Sequence, residues 1–224
     1  MSANSEFTRP DGKRCPNYYT EPKDAANAPG IVVMQEWWGL NEQIEAVANH
    51  LAEAGYRVMV PDLYRGEITL DAAEAEHHMN ALDFGDAATQ DLRGAVQALK
   101  AKGGKVGVIG FCMGGVLAAL AAMHVPETDV VVDWYGVPPE GAGDPSTVRI
   151  PFQAHFALRD EFFPIEQADA LEAKLKATGI PLECYRYDAH HAFGNETGQN
   201  YNAEAAKAAW DRSLAFLNKY LKAG

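Results

Sequence analysis

Cysteine is scarce in this chain. Cys15, Cys112 and Cys184 are three in 224 residues, an odd number at unrelated spacings, which argues against a disulfide framework or a zinc-binding pattern. No run of about eighteen apolar residues occurs, so no segment reads as a membrane span. Positive charge is also in deficit: 19 Lys and Arg face 31 Asp and Glu, for a formal charge of −12. Such a balance disfavours nucleic acid or an anionic membrane as partner, because both require clustered cations. Met1 to Pro10 lacks a basic stretch followed by an apolar one, so a cytoplasmic location is expected. Low-complexity tracts, internal repeats and linkers are missing too, and a single domain over 1–224 is the expectation.

What the chain does have is alternation. Gly30-Ile31-Val32-Val33-Met34 is a short apolar run suited to a strand buried on both faces. Asn41 precedes Ile44, Val47, Ala48, Leu51 and Ala52 at helical spacing, and Gly55 closes that helix before Tyr56 to Val60. The pattern recurs with a helix over about Thr89 to Lys102, a strand Val106 to Gly110, and a helix from Met113. It continues with strands Val130 to Tyr135 and Ile150 to His155, a helix Ile165 to Thr178, a strand Leu182 to Tyr187 and a closing helix Ala203 to Leu221. Strands alternating with helices predict an α/β fold, a mostly parallel central sheet flanked by helices on both faces. The opening through Pro16 reads as polar and irregular. Asp62 to Ala88 also reads as irregular, placed over the carboxyl ends of the strands, where open α/β sheets carry their sites.

Gly110-Phe111-Cys112-Met113-Gly114-Gly115 lies between a predicted strand and a predicted helix. Glycines two positions either side of a nucleophile allow the tight turn that exposes it above a sheet, and the helix N-terminus favours a thiolate. A buried structural thiol is the competing reading of Cys112. Downstream, Asp160 and its neighbour Glu161 follow a strand, as do His190 and His191, so the order nucleophile, acid, histidine can be completed. Asp160 is the first choice of acid; spacing alone leaves the two histidines equal.

These residues, with Gln35-Glu36-Trp37-Trp38-Gly39-Leu40-Asn41, Val60-Pro61-Asp62-Leu63-Tyr64, Gly107 to Gly115, Trp134-Tyr135-Gly136-Val137 and Ala189-His190-His191-Ala192-Phe193, resemble the dienelactone hydrolase family. That family is a cysteine-using branch of the α/β-hydrolases, and the resemblance runs from about Gly30 to Leu221. It implies an α/β-hydrolase fold and a triad of Cys112, Asp160 and His191, with His190 at a position often occupied by glycine. It implies that Glu36 contacts the resting cysteine and helps to control thiolate formation. Backbone N–H groups of Trp37 and Met113 would form the oxyanion hole, and no metal or organic cofactor is needed.

The implied reaction is hydrolysis of a small-molecule ester or lactone through a thioacyl-enzyme. The family's arginines for a carboxylated lactone are missing: Asn195 stands four residues after His191, and Gly66 to Leu92 contains no Lys or Arg. With Asp71, Glu74 and Glu76 in that stretch, a neutral substrate is expected, and Arg65 and Arg159 are the cations that could oppose this. Trp38, Tyr135 and Phe162 are candidate substrate contacts, although core packing competes for Tyr135 and Phe193. Trp37 and Trp38, being adjacent, are expected to diverge. His77 and His78 read as helix-surface or lid residues rather than metal ligands, and Cys15 and Cys184 as structural. A monomer or homodimer is expected. Two other functions fit the same residues: hydrolysis of other activated acyl or phosphoryl esters, and ligand binding or regulation with negligible turnover.

Overall fold

The computed structural model describes residues 3–222; Met1 and Gly224, the expected ends of the domain, lie outside the described residues. Eight strands form one sheet: β1 (Ser5–Thr8), β2 (Arg14–Thr20), β3 (Gly30–Met34), β4 (Arg57–Pro61), β5 (Val106–Phe111), β6 (Val130–Trp134), β7 (Phe152–Arg159) and β8 (Leu182–His190). Their order is β1-β2-β4-β3-β5-β6-β7-β8. From β4 to β8 every pairing is parallel, whereas β1 and β2 add to the β4 edge antiparallel. This hairpin is what the polar opening becomes. Its strands leave little apolar pattern to read, because Phe7, Cys15 and Asn17 are the buried residues among them.

The helices are α1 (Glu42–Glu53), α2 (Ala72–Ala81), α3 (Phe84–Asp86), α4 (Arg93–Lys100), α5 (Met113–His124), α6 (Ile165–Lys176) and α7 (Ala203–Leu217). A π-helical turn over Ala87–Leu92 joins α3 to α4, so the helix predicted from Thr89 begins earlier. Asp62 to Ala88 is likewise more regular than its sequence suggests. Asp71 caps α2 by accepting the Glu74 N–H, but only Ala75 of that helix is buried, leaving little apolar periodicity to read.

Period-two alternation divides the core. Ile31 and Val33 of β3 face a cluster completed by α1 and α7, while Val32 and Met34 face one completed by α4, α5 and α6. The strand order reverses between β3 and β5, because the chain lays β4 on one side of β3 and then returns to build β5 to β8 on the other. A crevice opens at the carboxyl ends of strands flanking such a reversal. The two segments leaving β3 and β5 there begin Gln35-Glu36-Trp37 and Cys112-Met113.

A polar cluster around His155 is sealed inside this core. His155 has no exposed surface, lies 2.9 Å from the Tyr187 hydroxyl through Nδ1, and lies 2.9 Å from Gln153 Oε1 and 3.0 Å from Ser213 Oγ through Nε2. Burial, with a smaller contribution from Arg212, pushes its pKa down from 6.5 to about 3. The unfolded chain therefore takes up this proton before the folded one does. His155 destabilises the fold as pH falls from 6.5 towards 3, with a slope approaching about 1.4 kcal/mol per pH unit. Urea unfolding of wild type and His155→Gln at pH 7.0, 5.5 and 4.5 should show the wild type losing stability relative to the variant as pH falls. A pH-independent difference would assign His155 no such role.

Candidate active site

Cys112 occupies the turn between β5 and α5 with φ 56° and ψ −118°, a conformation that costs a non-glycine residue about 1–3 kcal/mol. Its N–H donates to the Trp134 carbonyl at 2.9 Å, which ties the turn to β6. Two other positive-φ residues adjoin it, Tyr135 at 45° and Ala192 at 59°. Strain is thus concentrated where β5, β6 and β8 end, and packing has to maintain it. A Cβ on Gly110 would meet the Gly114 carbonyl oxygen at 1.8 Å, and one on Gly136 would meet Val116 N at 2.3 Å. The glycines expected of the elbow are there because two backbones pass through each other's side-chain space.

His191 completes a chain of contacts to Cys112. Its Nδ1 lies 2.7 Å from Asp160 Oδ2 and its Nε2 lies 3.1 Å from Cys112 Sγ. With Nδ1–H donated to the carboxylate, Nε2 is the nitrogen left to accept a proton from sulfur. Asp160 is itself fixed, because its Oδ1 accepts the N–H groups of Phe162 and Phe163, each at 2.8 Å. Burial opposes charge on His191, but the hydrogen bonds and charges of Asp160 and Cys112 outweigh it and raise its pKa from 6.5 to about 10. Nε2 beside Sγ is therefore placed to receive and hold a proton taken from the thiol.

The alternatives that spacing left open form a second, outer pair. His190 Nδ1 meets Glu161 Oε1 at 2.7 Å, with both side chains exposed. β7 extends to Arg159 and β8 to His190, further than predicted, so acid and histidine pair in register: Asp160 with His191 inside, Glu161 with His190 outside.

Glu36 is 3% exposed and borders the cleft that contains Cys112. Its carboxylate is held by Asn195, whose Nδ2 donates to Oε2 at 2.6 Å, and by the Tyr135 hydroxyl, which donates to Oε1 at 3.4 Å. The hydrogen bonds of Glu36 go to Asn195 and Tyr135, while Cys112 is engaged by His191. Burial raises the Glu36 pKa, against the lowering effect of Asn195, His191 and Tyr135. Asn195, considered in the sequence only as a missing arginine, is buried and serves this carboxyl. Its one sequence signal was a polar residue one helical turn's distance after the histidine.

The cleft has a volume of about 1240 Å³. Trp37, Trp38, Phe162, Met113 and Cys112 border it, as do Leu70, Met79 and Phe84 from the region predicted to be irregular. Met113 opens α5, so its N–H lies outside that helix's own ladder. Trp37 and Trp38 do not diverge; their rings meet edge to face at 5.2 Å and both border the cleft. Tyr135 is a second correction. It is 1% exposed and packs behind the site against His191 and Phe193, so it supports Glu36 rather than meeting a substrate.

The cations and acids weighed for substrate charge are engaged elsewhere. Arg65 is paired with Asp91 and Arg159 with Asp188. Asp71 caps α2, Glu74 accepts from Thr69, and neither they nor Glu76 border the cleft. The cations and carboxylates that do border it are Lys174, Glu36 and Glu140. Among the described residues, no cluster of three or more His, Cys, Asp or Glu could hold a metal ion. Nor is any helix there long and apolar enough to cross a membrane. His78 sits on α2 with its ring 5.2 Å from Tyr64. Cys15 is buried, and burial pushes the Cys184 thiol up to about 12.

The family model described as "Dienelactone hydrolase family" matches residues 16–221. Among curated proteins, "Protein usf" of Aquifex pyrophilus is 29% identical, with 99% of this chain and 100% of that protein aligned. An Aquifex aeolicus protein provisionally named carboxymethylenebutenolidase is 28% identical over 99% of this chain and 100% of its own. Among solved structures, a Klebsiella pneumoniae protein provisionally named a dienelactone hydrolase superposes with a TM-score of 0.86 at 26% identity, covering 96% of this chain and 98% of that one. A dienelactone hydrolase-like promiscuous phosphotriesterase from metagenomic libraries shares the fold, with a TM-score of 0.80 at 23% identity over 99% and 100% of the two chains.

Proposed function

Because the chain belongs to the dienelactone hydrolase family and is a carboxylic ester hydrolase, we propose that it cleaves neutral ester or lactone substrates through Cys112, His191 and Asp160. The observation that carries this reading is the position of His191, bridging Asp160 at 2.7 Å and Cys112 at 3.1 Å, with the sulfur on a strained turn at the cleft.

His191 Nε2 takes the thiol proton and Sγ bonds to the substrate's carbonyl carbon. The carbonyl oxygen becomes an oxyanion, received by the N–H groups of Met113 and Trp37. Collapse of this intermediate breaks the bond to the alcohol oxygen, which leaves with the proton from His191. Water then attacks the thioester, giving its proton to His191, and the acid departs as Cys112 regains its thiolate. Asp160 holds the imidazole in the required tautomer and stabilises its charge in both halves. Glu36, kept on Asn195 and Tyr135, leaves the sulfur to His191. Trp38 and Phe162 border the space the substrate fills. Preference for a neutral substrate is supported by the cleft wall, which includes the Glu36 carboxyl and no arginine.

Acid quench during turnover of a p-nitrophenyl ester, followed by peptide mass spectrometry, should find the acyl group on the peptide carrying Cys112. His190→Ala should retain kcat within about threefold, since it removes an exposed pair of little energetic weight. Acylation at another residue would remove Cys112 as nucleophile. A hundredfold loss in His190→Ala would move the base to the outer pair. No turnover on any ester would favour a binding or regulatory protein.

A further inference from the structure

The cleft does not end at the triad. It runs on between α5 and α6, bordered by Val116 and Leu120 on α5, Val137 beyond β6, and Phe163, Ala170 and Leu171 on the α6 side. Leu120 and Val116, 3% and 4% exposed, form its floor against the core, while Ala170 stands at its exposed edge. Its roof is the 137–145 segment. There His124 Nε2–H donates to the Ala142 carbonyl at 2.9 Å, and Gly143 lies so close to α5 that a Cβ would meet His124 and Met123 at 2.8 Å. Pro138 and Pro139 limit the freedom of the same segment. Charge appears only towards the exposed residues Glu140 and Lys174.

We propose that this branch binds a straight, uncharged acyl chain of medium length, making the enzyme selective for medium-chain acyl esters; this rests on Cys112 as the acylated nucleophile. Leu120 lies eight residues from Cys112 along α5, about 12 Å at the helical rise, which is the reach of such a chain. The whole cleft, at about 1240 Å³, exceeds the space a small lactone would fill. The acyl side is assigned because the leaving alcohol must escape. On the side beyond His191 the cleft is bordered by Thr197, Gln199 and Asn200, which offer polar contacts, whereas the roofed branch is mostly apolar, with Gln167 and Lys174 at its α6 edge. Each methylene transferred from water into such a branch should improve kcat/KM by about fourfold.

The test is a p-nitrophenyl series from acetate through butyrate and hexanoate to octanoate, with a parallel series of alkyl acetates. In the wild type kcat/KM should climb along the acyl series and stay nearly flat along the alcohol series. Ala170→Trp, a change on the exposed side of α6, should lower octanoate turnover at least tenfold and acetate turnover less than twofold. Should that variant fold poorly, Ala170→Glu serves the same purpose, and methyl octanoate, a neutral competitor, should inhibit wild-type hydrolysis of p-nitrophenyl acetate competitively. A flat acyl series, a rise confined to the alcohol series, equal losses for the acetate and octanoate esters, or no inhibition by methyl octanoate would each overturn the proposal. Cys112→Ala separates the two readings. Loss of both acetate and octanoate turnover leaves the mechanism standing whatever the chain-length result, whereas retained turnover sinks the mechanism itself.

Discussion

Cys112→Ala should lose ester hydrolysis by about 10⁴-fold or more in kcat, with little change in unfolding midpoint. Removing sulfur removes the atom that forms the covalent intermediate, and neither His191 nor Asp160 can replace it. Alanine at φ 56° suffers the same backbone strain as cysteine, so the elbow itself is kept. Three residues acting as one relay should also be non-additive. His191→Ala should fall to a similar floor, and the Cys112→Ala/His191→Ala double variant should fall no further. Measuring kcat for the two single variants and the double variant on p-nitrophenyl butyrate, with thermal melts alongside, decides the matter. Multiplicative losses would mean that the two side chains act in separate steps. Turnover of Cys112→Ala within tenfold of wild type would show that sulfur is not the nucleophile.

Gly110→Ala should cost more stability than any active-site truncation. The added methyl would sit 1.8 Å from the Gly114 carbonyl oxygen, 2.3 Å from its carbon and 2.9 Å from Gly115 N. All three are backbone atoms, so no rotamer change can relieve the clash. Either α5 lifts from the sheet or β5 shifts, and both would break the close packing of Val116 and Leu117 against the core. A loss of about 4 kcal/mol or more is expected, seen as a large drop in urea midpoint or as insoluble expression. Gly141→Ala makes the control: no atom lies within 4 Å of its Cβ position, and its φ of 88° supplies backbone strain alone. If Gly110→Ala were no worse than Gly141→Ala, the backbone contact at the elbow would not be limiting.

The glycine pattern around Cys112 is a local signal with a tertiary cause, and for that reason it could be read from the chain. Alternating apolar runs and helical periodicities likewise determined the parallel sheet from β3 to β8, since burial on both faces leaves a mark on every strand residue. The order of Cys112, acid and histidine along the chain, each after a strand, also belonged to the sequence.

Which acid and which histidine meet the sulfur did not. Asp160 and His191 are 31 residues apart, His191 and Cys112 are 79 apart, and Glu36 and Asn195 are 159 apart. Neighbours such as His190 and His191 differ only in which side of β8's end they leave from, and that depends on where β7 and β8 stop pairing. Tyr135 turning inward, Trp37 and Trp38 sharing the cleft, and Asn195 taking Glu36 rest on the same kind of fact. Periodicity reports which side of an element is buried, whereas the direction of a side chain beyond a strand's end is settled by packing against segments distant in the chain. The sequence by itself determined that Cys112 stands on an elbow above a parallel sheet; tertiary packing alone decided that His191 and Asp160 reach it and that an apolar branch leads away from it between α5 and α6.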